Sequence, residues 1–293
     1  MLLTLTVNSL RTLLAGRGER TLTPCEVPRF AHDELGLHGL SVPASLLRGW
    51  TIAEIERLRD EADKAACPCL VLVDDEPLEF GSADEKLRTA AATRLGRLAA
   101  AANRLGCSAL GVGCRGKDSA DVFDRTAALL KGSLQSVDRL ELNILLRPGT
   151  GLTDDPTRLT DLIKRVGGFR VGSLPEFGHA KKSGNAETTL RKLAPYAGAI
   201  HATVEGFDRA GVHSGADLAA CVNAIRSVGY QNTLSIDYVG SGNAVEEIKR
   251  ARDILTNAIR GEEEPLDELD LLAAVDELEG AAVEEEAVEG EDN

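Results

Sequence analysis

The first 260 residues alternate between short apolar runs and longer stretches with helical periodicity. The apolar runs have the length and composition of strands. They lie at Leu2–Val7, Leu37–Val42, Cys69–Val73, Ala109–Cys114, Leu140–Leu146, Phe169–Leu174, Ala199–Val204 and Thr233–Val239. Amphipathic stretches lie between and after them, at Thr51–Ala66, 84–105, 119–133, 156–166, 186–195, 214–228 and 243–259. The pattern predicts eight strand–helix units in succession.

Eight such units without a Pro- or Ser-rich linker favour one architecture. A single (β/α)₈ TIM barrel of about 250 residues has this element order and this size. An open doubly wound sheet is the alternative, although it rarely holds eight regular units without a domain break. We therefore expect an α/β barrel over residues 1–260, with any chemistry located where strands end and helices begin.

Charge divides the chain into two parts. The formal net charge is −14, with 47 acidic residues against 33 basic ones. Residues 262–293 hold 15 of the acidic residues and no basic one, so residues 1–260 carry 32 acidic residues against 33 basic ones. We expect residues 261–293 to form an acidic tail, with a short amphipathic helix over 265–279 followed by a disordered end. Such a tail serves either solubility or a protein partner.

Cysteine spacing, hydropathy and charge indicate the location of the protein and the partners that it is not expected to bind. The six cysteines are irregularly spaced, which argues against a zinc site, and the N-terminal run alternates too early for a signal peptide. We expect reduced core thiols and a cytoplasmic location. No run approaches the roughly 18 apolar residues of a membrane span. A body without basic excess is not expected to bind nucleic acid. The sequence leaves a homo-oligomer open.

A glycine-rich turn follows the fourth predicted strand. The segment Gly111–Asp118 fits G-x-G-x-x-G and nearly fits a phosphate-binding P-loop, but Asp118 stands where the P-loop hydroxyl should be. Its charge would repel phosphates, so we expect a plain turn rather than a nucleotide site. Arg115 and Lys117 in this turn are candidates to hold an anionic group of a substrate.

Chemistry-bearing side chains gather at the ends of the last three predicted strands. Glu176 and His179 follow the sixth strand, His201 lies on the seventh, and Asp237 ends the eighth. Because adjacent strand ends of a barrel lie close together, Glu176, His201 and Asp237 could converge on one ion. Two carboxylates and an imidazole suit Mn²⁺, Mg²⁺, Co²⁺ or Zn²⁺. The sequence therefore predicts a divalent-metal site at this mouth.

Several motifs resemble the xylose isomerase-like TIM barrel family of sugar phosphate isomerases and epimerases. The likeness covers essentially residues 2–258. Its most specific parts are Asp33-Glu-Leu-Gly36-Leu-His-Gly39-Leu, Pro148-Gly149-Thr150, Glu176-Phe-Gly-His179-Ala and the stretch Arg226–Gly240 (RSVGYQNTLSIDYVG). The resemblance implies metabolism of a carbohydrate, with a sugar or sugar phosphate as the substrate.

The resemblance also implies roles for individual residues. Family members hold one divalent metal with a Glu, an Asp, a His and a Glu on strands five to eight, and the two Glu residues move a proton at the carbon beside the carbonyl. By motif, Glu176 and Asp237 match two of these carboxylates and are the implied catalytic residues, and His201 matches the metal-binding His. His179 is the implied substrate-binding His.

Glu176 stands where the family has Asp and Asp237 where it has Glu, and a third position departs further from the family pattern. Leu145 stands where the family has its strand-five Glu, and leucine can neither bind a metal nor accept a proton. Proton transfer on both faces of a substrate needs a base on each face, so we expect altered or weakened chemistry. The alternative is a degenerate, non-catalytic barrel that binds a ligand or acts as a scaffold. Arg147 and Arg209 join Arg115 and Lys117 as candidates to hold an anionic group. A DNA-repair endonuclease of the same superfamily is disfavoured, because such enzymes need several metal ligands on early strands and a basic groove.

Overall fold

The computed structural model describes residues 1–17 and 20–261, apart from the side chains at 135 and 136. Contacts divide the chain into the units Met1–Ile259 and Arg260–Asn293. The predicted tail helix over 265–279 and the disorder predicted after it lie outside the described residues. The described strands and helices belong to the first unit, except that the last helix ends one residue beyond it.

Eight parallel strands form the first unit, which confirms the predicted TIM barrel. They are β1 (Leu2–Thr6), β2 (Leu40–Pro43), β3 (Cys69–Val73), β4 (Ala109–Gly113), β5 (Asn143–Arg147), β6 (Val171–Ser173), β7 (Ala199–Val204) and β8 (Thr233–Tyr238). The sheet runs in the order β6-β5-β4-β3-β2-β1-β8-β7. Each strand thus lies beside its neighbours in sequence, as repeated right-handed βαβ units require.

The two ends of this order, β6 and β7, also meet. Parallel bridges pair Ser173 with Ala197 and Glu176 with His201. The amide of Gly198 donates to the carbonyl of Ser173 at 3.2 Å, and that of His201 donates to the carbonyl of Pro175 at 2.9 Å. These contacts complete the ring and bring the ends of β6 and β7 together.

Ten α-helices surround the strands in the described part of the chain. They are α1 (Arg11–Leu14), α2 (Val27–Asp33), α3 (Ile52–Lys64), α4 (Glu85–Leu105), α5 (Ala120–Val137), α6 (Pro156–Val166), α7 (Phe177–Lys182), α8 (Ala186–Leu193), α9 (Leu218–Arg226) and α10 (Ala244–Arg260). The seven longest match the predicted amphipathic stretches, whereas α1, α2 and α7 were not predicted. None of these helices is long and apolar enough to cross a membrane.

The interior of the barrel has two chemically different halves. One buried cluster contains residues of β3, β4, β5 and β7 and one residue just after β6, and it is separate from the larger core between strands and helices. Its members are Val71, Val73, Ala109, Leu145, Leu174 and Ala199. The other half, on β1, β2, β7 and β8, is lined by buried polar side chains, namely Thr4, Thr6, Ser41, His201 and Ser235. This polar half includes the predicted site residue His201 and bonds to another, since Thr6 donates to Asp237.

Candidate functional site

The ends of β6, β7 and β8 bring three of the predicted site residues to the same mouth of the barrel. Glu176 pairs with His201 in a parallel bridge. On the next strand pair, Thr203 of β7 lies opposite Asp237 of β8. The side chains of Glu176, His201 and Asp237 are therefore neighbours, as the strand order predicts.

Arg147, at the end of β5, forms an ion pair with Glu176 inside this mouth. Its Nε and Nη2 donate to Oε1 of Glu176 at 2.9 and 2.7 Å, and its Nη1 donates to the carbonyl oxygen of Asp74 at 3.0 Å. The two side chains are only 26% and 20% exposed. Both nitrogens donate to the same carboxylate oxygen, in charge-assisted bonds that are stronger than bonds between neutral groups. The side chain of Glu176 is thus fixed by a cation of the chain itself.

Burial and neighbouring charges act on Arg147 in opposite directions. Burial by itself lowers the pKa of Arg147. The charges of Glu176, Asp237 and Asp75 raise it by more than burial lowers it, so the net pKa lies above its ordinary value. Guanidinium is charged at every physiological pH in any case. A permanent positive charge therefore faces the carboxylates of the mouth.

Asp237 is half-buried and is held by a hydroxyl of the first strand. The Oγ1 of Thr6 donates to Oδ1 of Asp237 at 2.6 Å. Among the described residues, Asp237 takes part in no direct ion pair. Its carboxylate is consequently the one predicted catalytic group that faces the cavity without a cation bound to it.

His201 lies deeper, at 4% exposure, and bonds across the barrel. Its Nε2 and the Oγ of Ser41 on β2 are 3.0 Å apart. Burial lowers the pKa of His201 and Arg147 adds to this, while the charges of Asp237 and Glu176 oppose it. The net pKa lies below its ordinary value, so the imidazole is neutral at pH 7. The polar interior, rather than solvent, supplies its hydrogen-bond partner.

A cavity of about 710 Å³ opens over these groups. Its lining includes Glu176, His179 and Asp237, together with Thr203, Glu205 and Lys182. The Nε2 of His179 lies 3.3 Å from the carbonyl oxygen of Asp154, so this ring is oriented by the loop after β5. Sequence reasoning did not identify three of these residues, because they carry no motif: Thr203 near the end of β7, Glu205 just after it, and Lys182 at the end of α7.

A second cavity, of about 420 Å³, lies on the other side of the Arg147–Glu176 pair. Arg147 and Arg115 line it, along with Asp75, Pro148 and Thr150. Arg115 is itself 3.3 Å from a carboxylate oxygen of Glu79. The two partners of the ion pair therefore line different cavities, Arg147 the smaller one and Glu176 the larger one.

The predicted anion-binding residues are not gathered in one place. Arg115 and Arg147 share the smaller cavity, but Lys117 and Arg209 line neither of the two cavities. Arg209 is exposed in the loop after β7, which is organised by Asp208 accepting from the amides of Ala210 and Val212 at 2.9 Å each. Of the four predicted anion-binding residues, two therefore line the same cavity, namely Arg115 and Arg147.

Polar side chains on or just after the first three strands form hydrogen bonds to other side chains of the protein. Asp74 at the end of β3 is buried and accepts from Nη2 and Nε of Arg94 at 2.6 and 3.0 Å. Thr6 and Ser41 bond to site residues, yet nothing in the sequence marks them beyond a polar side chain at an inward-facing strand position. Their contact partners lie 231 and 160 residues away.

The side chains as placed do not fit the predicted divalent metal. Among the described residues, no three His, Cys, Asp or Glu side chains are arranged to hold an ion together. Oε1 of Glu176 is bound by Arg147 and Nε2 of His201 is bonded to Ser41. Leu145 is 1% exposed within the apolar cluster. A cation entering here would meet the guanidinium charge, so metal binding by Glu176, His201 and Asp237 stays a prediction that this geometry disfavours.

Comparison with known proteins places the fold. The family model described as xylose isomerase-like TIM barrel matches residues 31–258. Among solved structures, D-psicose 3-epimerase is 13% identical, with a TM-score of 0.69 over 89% of this chain and 98% of that one. The 3-keto-D-glucoside 4-epimerase from E. coli is 15% identical, with a TM-score of 0.67 over 88% and 99%.

A third solved structure carries a metal. The IOLI protein, with a binding zinc atom, is 13% identical, with a TM-score of 0.69 over 90% of this chain and 100% of that one. Such identities show a shared fold alone. No curated protein sequence gives a significant match to this chain. Because the family model covers most of the sequence, this protein belongs to the xylose isomerase-like TIM barrel family.

Proposed function

We propose that this protein binds a sugar or sugar phosphate at the mouth of its barrel and isomerises or epimerises it, with chemistry altered from that of its metal-dependent relatives. The observation that carries the proposal is that Asp237, Glu176 and His179 open onto one cavity of about 710 Å³. Cavities of about 300–1,000 Å³ are typical of small-molecule sites. The structural neighbours named as sugar epimerases support the substrate class.

Asp237 is the base in this proposal. Its Oδ1 is held by Thr6, and no cation pairs with it directly in the described structure. It can therefore take a proton from the substrate carbon beside the carbonyl group and return it to the former carbonyl carbon on the same face. The proton of the neighbouring hydroxyl passes to the carbonyl oxygen in the same reaction, and the result is an isomerisation. Glu176 is held in the ion pair with Arg147 and orients the substrate as an acceptor of hydroxyl hydrogen bonds.

The remaining lining of the cavity suits a polyhydroxylated ligand. Glu205 and Thr203 offer further oxygen atoms, and His179 and Lys182 offer nitrogen atoms. Sugar hydroxyls both donate and accept hydrogen bonds, so a mixed lining of this kind can satisfy several of them at once. A phosphate on the substrate would find Arg115 and Arg147 in the smaller cavity.

A second candidate is a binding barrel without catalysis. It is favoured by Leu145, which is buried among Val71, Val73 and their neighbours at the position where the resemblance places a glutamate. With Glu176 bound to Arg147, Asp237 is the one of the two predicted catalytic carboxylates that is left to accept a proton. The ligand class is the same in both cases, and the difference lies in whether a carbon–hydrogen bond is broken.

Proton exchange separates the two candidates. The purified protein is incubated in D₂O with a panel of ketoses, aldoses and their phosphates, and NMR follows deuterium at the carbon beside the carbonyl. Catalysis predicts exchange with at least one sugar and its loss in Asp237→Asn, which keeps the oxygen that accepts from Thr6. Saturable binding of a sugar without exchange would establish the binding barrel. A panel that neither binds nor exchanges would contradict both.

A further inference from the structure

We infer that the guanidinium of Arg147 takes the place of a divalent cation in this site, both by neutralising its carboxylates and by holding a substrate oxygen. The part of this inference that concerns the substrate rests on the proposed function. The part that concerns the cation does not, since it can be tested without any sugar.

The position of Arg147 carries the first step. It lies on β5 two residues beyond Leu145, on the same face of the strand, and opposite Gly113 of β4. Its side chain turns away from β4 towards Glu176, which follows the other neighbouring strand, β6. The chain therefore has Leu145 instead of a carboxylate. Two residues further along the same face of β5, nearer the mouth, it has the fixed positive charge of Arg147.

The charges around the guanidinium carry the second step. Glu176 is in direct contact, and Asp237 and Asp75 both act on it electrostatically. A divalent ion bound in a carboxylate site is likewise surrounded by acidic side chains. In a partly desolvated mouth, a resident positive charge and an incoming cation repel each other strongly. Arg147 thus satisfies the acidic side chains and excludes the ion.

Unused donors carry the third step. A guanidinium has five N–H groups. Three of the five in Arg147 are bound, by Glu176 and by the carbonyl oxygen of Asp74. Two N–H groups, one on each terminal nitrogen, are left for a ligand, and the side chain lines the smaller cavity. Fixed donors of this kind can hold an anionic oxygen of a substrate group, such as a phosphate, that enters the smaller cavity.

Metal titration of the full-length protein tests the inference. Mn²⁺ and Zn²⁺ are titrated by calorimetry into the parent, Arg147→Gln and Arg115→Gln, all treated beforehand with a chelator. The parent is expected to bind neither ion at the mouth. Arg147→Gln, which frees Glu176, is expected to bind at least one of them at least about tenfold more tightly than the parent. Arg115→Gln removes the same charge from the same cavity and is expected to behave as the parent does.

Two outcomes of the metal titration would overturn the inference. One is saturable binding of Mn²⁺ or Zn²⁺ to the parent that is lost in His201→Ala. The other is a folded Arg147→Gln variant, verified by circular dichroism, that binds metal no better than the parent. Should this variant not fold, the parent titration still decides, and Arg147→Lys, which keeps the charge, is expected to exclude metal as the parent does.

A ligand measurement separates this inference from the proposed function. If the parent binds a sugar from the panel, excess EDTA is expected to leave the dissociation constant unchanged, and Arg147→Gln is expected to weaken binding at least about tenfold. Loss of sugar binding with EDTA would overturn the inference. A parent that binds no sugar, beside an Arg147→Gln variant that gains metal, would refute the proposed function and support the role of Arg147 as the resident cation.

Discussion

The carboxylate of Glu176 and the guanidinium of Arg147 are both about three-quarters buried, so each depends on the other. Glu176→Gln would leave the guanidinium facing the barrel without its main counter-charge and with one weaker acceptor. We expect a loss of about 1–3 kcal/mol in the free energy of unfolding. Urea denaturation of the parent and the variant measures it.

Glu187→Gln is the matched control for this substitution. Glu187 pairs with Arg191 at 2.7 Å along the exposed side of α8, with both side chains close to half exposed. Such a helix-surface pair contributes about 0.3–0.5 kcal/mol. Equal losses in the two variants would mean that the pair in the mouth is no more important to stability than a surface pair.

Protonation of His201 links stability to pH. Burial holds the pKa of His201 below its ordinary value of 6.5, which the unfolded chain retains. Above pH 6.5 the imidazole is neutral in both states and contributes no pH dependence. As the pH falls below 6.5 the unfolded state binds the proton first, so stability falls, by up to about 1.4 kcal/mol per pH unit, until the folded pKa is reached.

Comparison with His201→Gln isolates this effect. Glutamine can still form a hydrogen bond with Ser41 but does not titrate. The difference in unfolding free energy between parent and variant, measured by urea denaturation from pH 7.5 to pH 5, is expected to change only below about pH 6.5. A difference that is constant over the whole range would show that burial does not lower the pKa of His201.

At the scale of the elements, two glycines of the barrel are expected to respond to the same substitution with opposite signs. A Cβ on Gly172 in β6 would lie 2.5 Å from the carbonyl oxygen of Tyr196 and 3.3 Å from a methyl of Leu145. A Cβ on Gly96 in α4 would meet nothing within 4 Å. We expect Gly172→Ala to cost at least about 1–3 kcal/mol, because backbone must move. Gly96→Ala should gain up to about 1 kcal/mol through helix propensity.

Thermal unfolding of both variants checks these signs. The melting temperature of Gly172→Ala is expected to fall and that of Gly96→Ala to rise. A neutral Gly172→Ala would mean that β6 and the segment before β7 do not pack as closely as described. Because β6 and β7 complete the ring, looser packing between them would also mean that Glu176 is held less firmly beside His201.

Strand and helix periodicity predicted most of the elements, and its failures have local causes. All eight strands were predicted, although β2 and β5 each begin three residues later than their apolar runs. Helices α1, α2 and α7 have four, seven and six residues, which is two turns or fewer and too short for a periodic pattern. Helix α3 begins where its amphipathic stretch was predicted to begin, and there Thr51 and Glu54 form the reciprocal bonds of a capping box.

The candidate site was predictable in position but not in its bonds. Strand-end reasoning placed Glu176, His201 and Asp237 together because parallel strands end at one mouth. It could not assign Arg147 to Glu176, since the turn of a long side chain depends on the space beside it. It also could not find Thr6, whose bond to Asp237 exists only once β1 lies against β8.

For the whole molecule, the net charge of −14 describes the terminal residues more than the barrel. The 32 acidic and 33 basic residues before position 261 leave a nearly neutral body. Many of these charges are paired on the surface, as in the contacts of Arg104 with Glu56 and of Arg158 with Asp118. The mouth therefore owes its character to local groups such as Arg147, and overall acidity does not oppose an anionic ligand.

Packing of the whole barrel determines which thiols can react. All six cysteines are free, and five of them, all but Cys25, are buried. Burial raises the pKa of Cys67, Cys69, Cys114 and Cys221 to about 12 each, so little thiolate forms at pH 8. We expect the folded protein to release one equivalent of chromophore rapidly from Ellman's reagent, and six after denaturation. Cys25→Ser should abolish the rapid phase, and two or more rapid equivalents would show that the core opens far more readily than its packing implies.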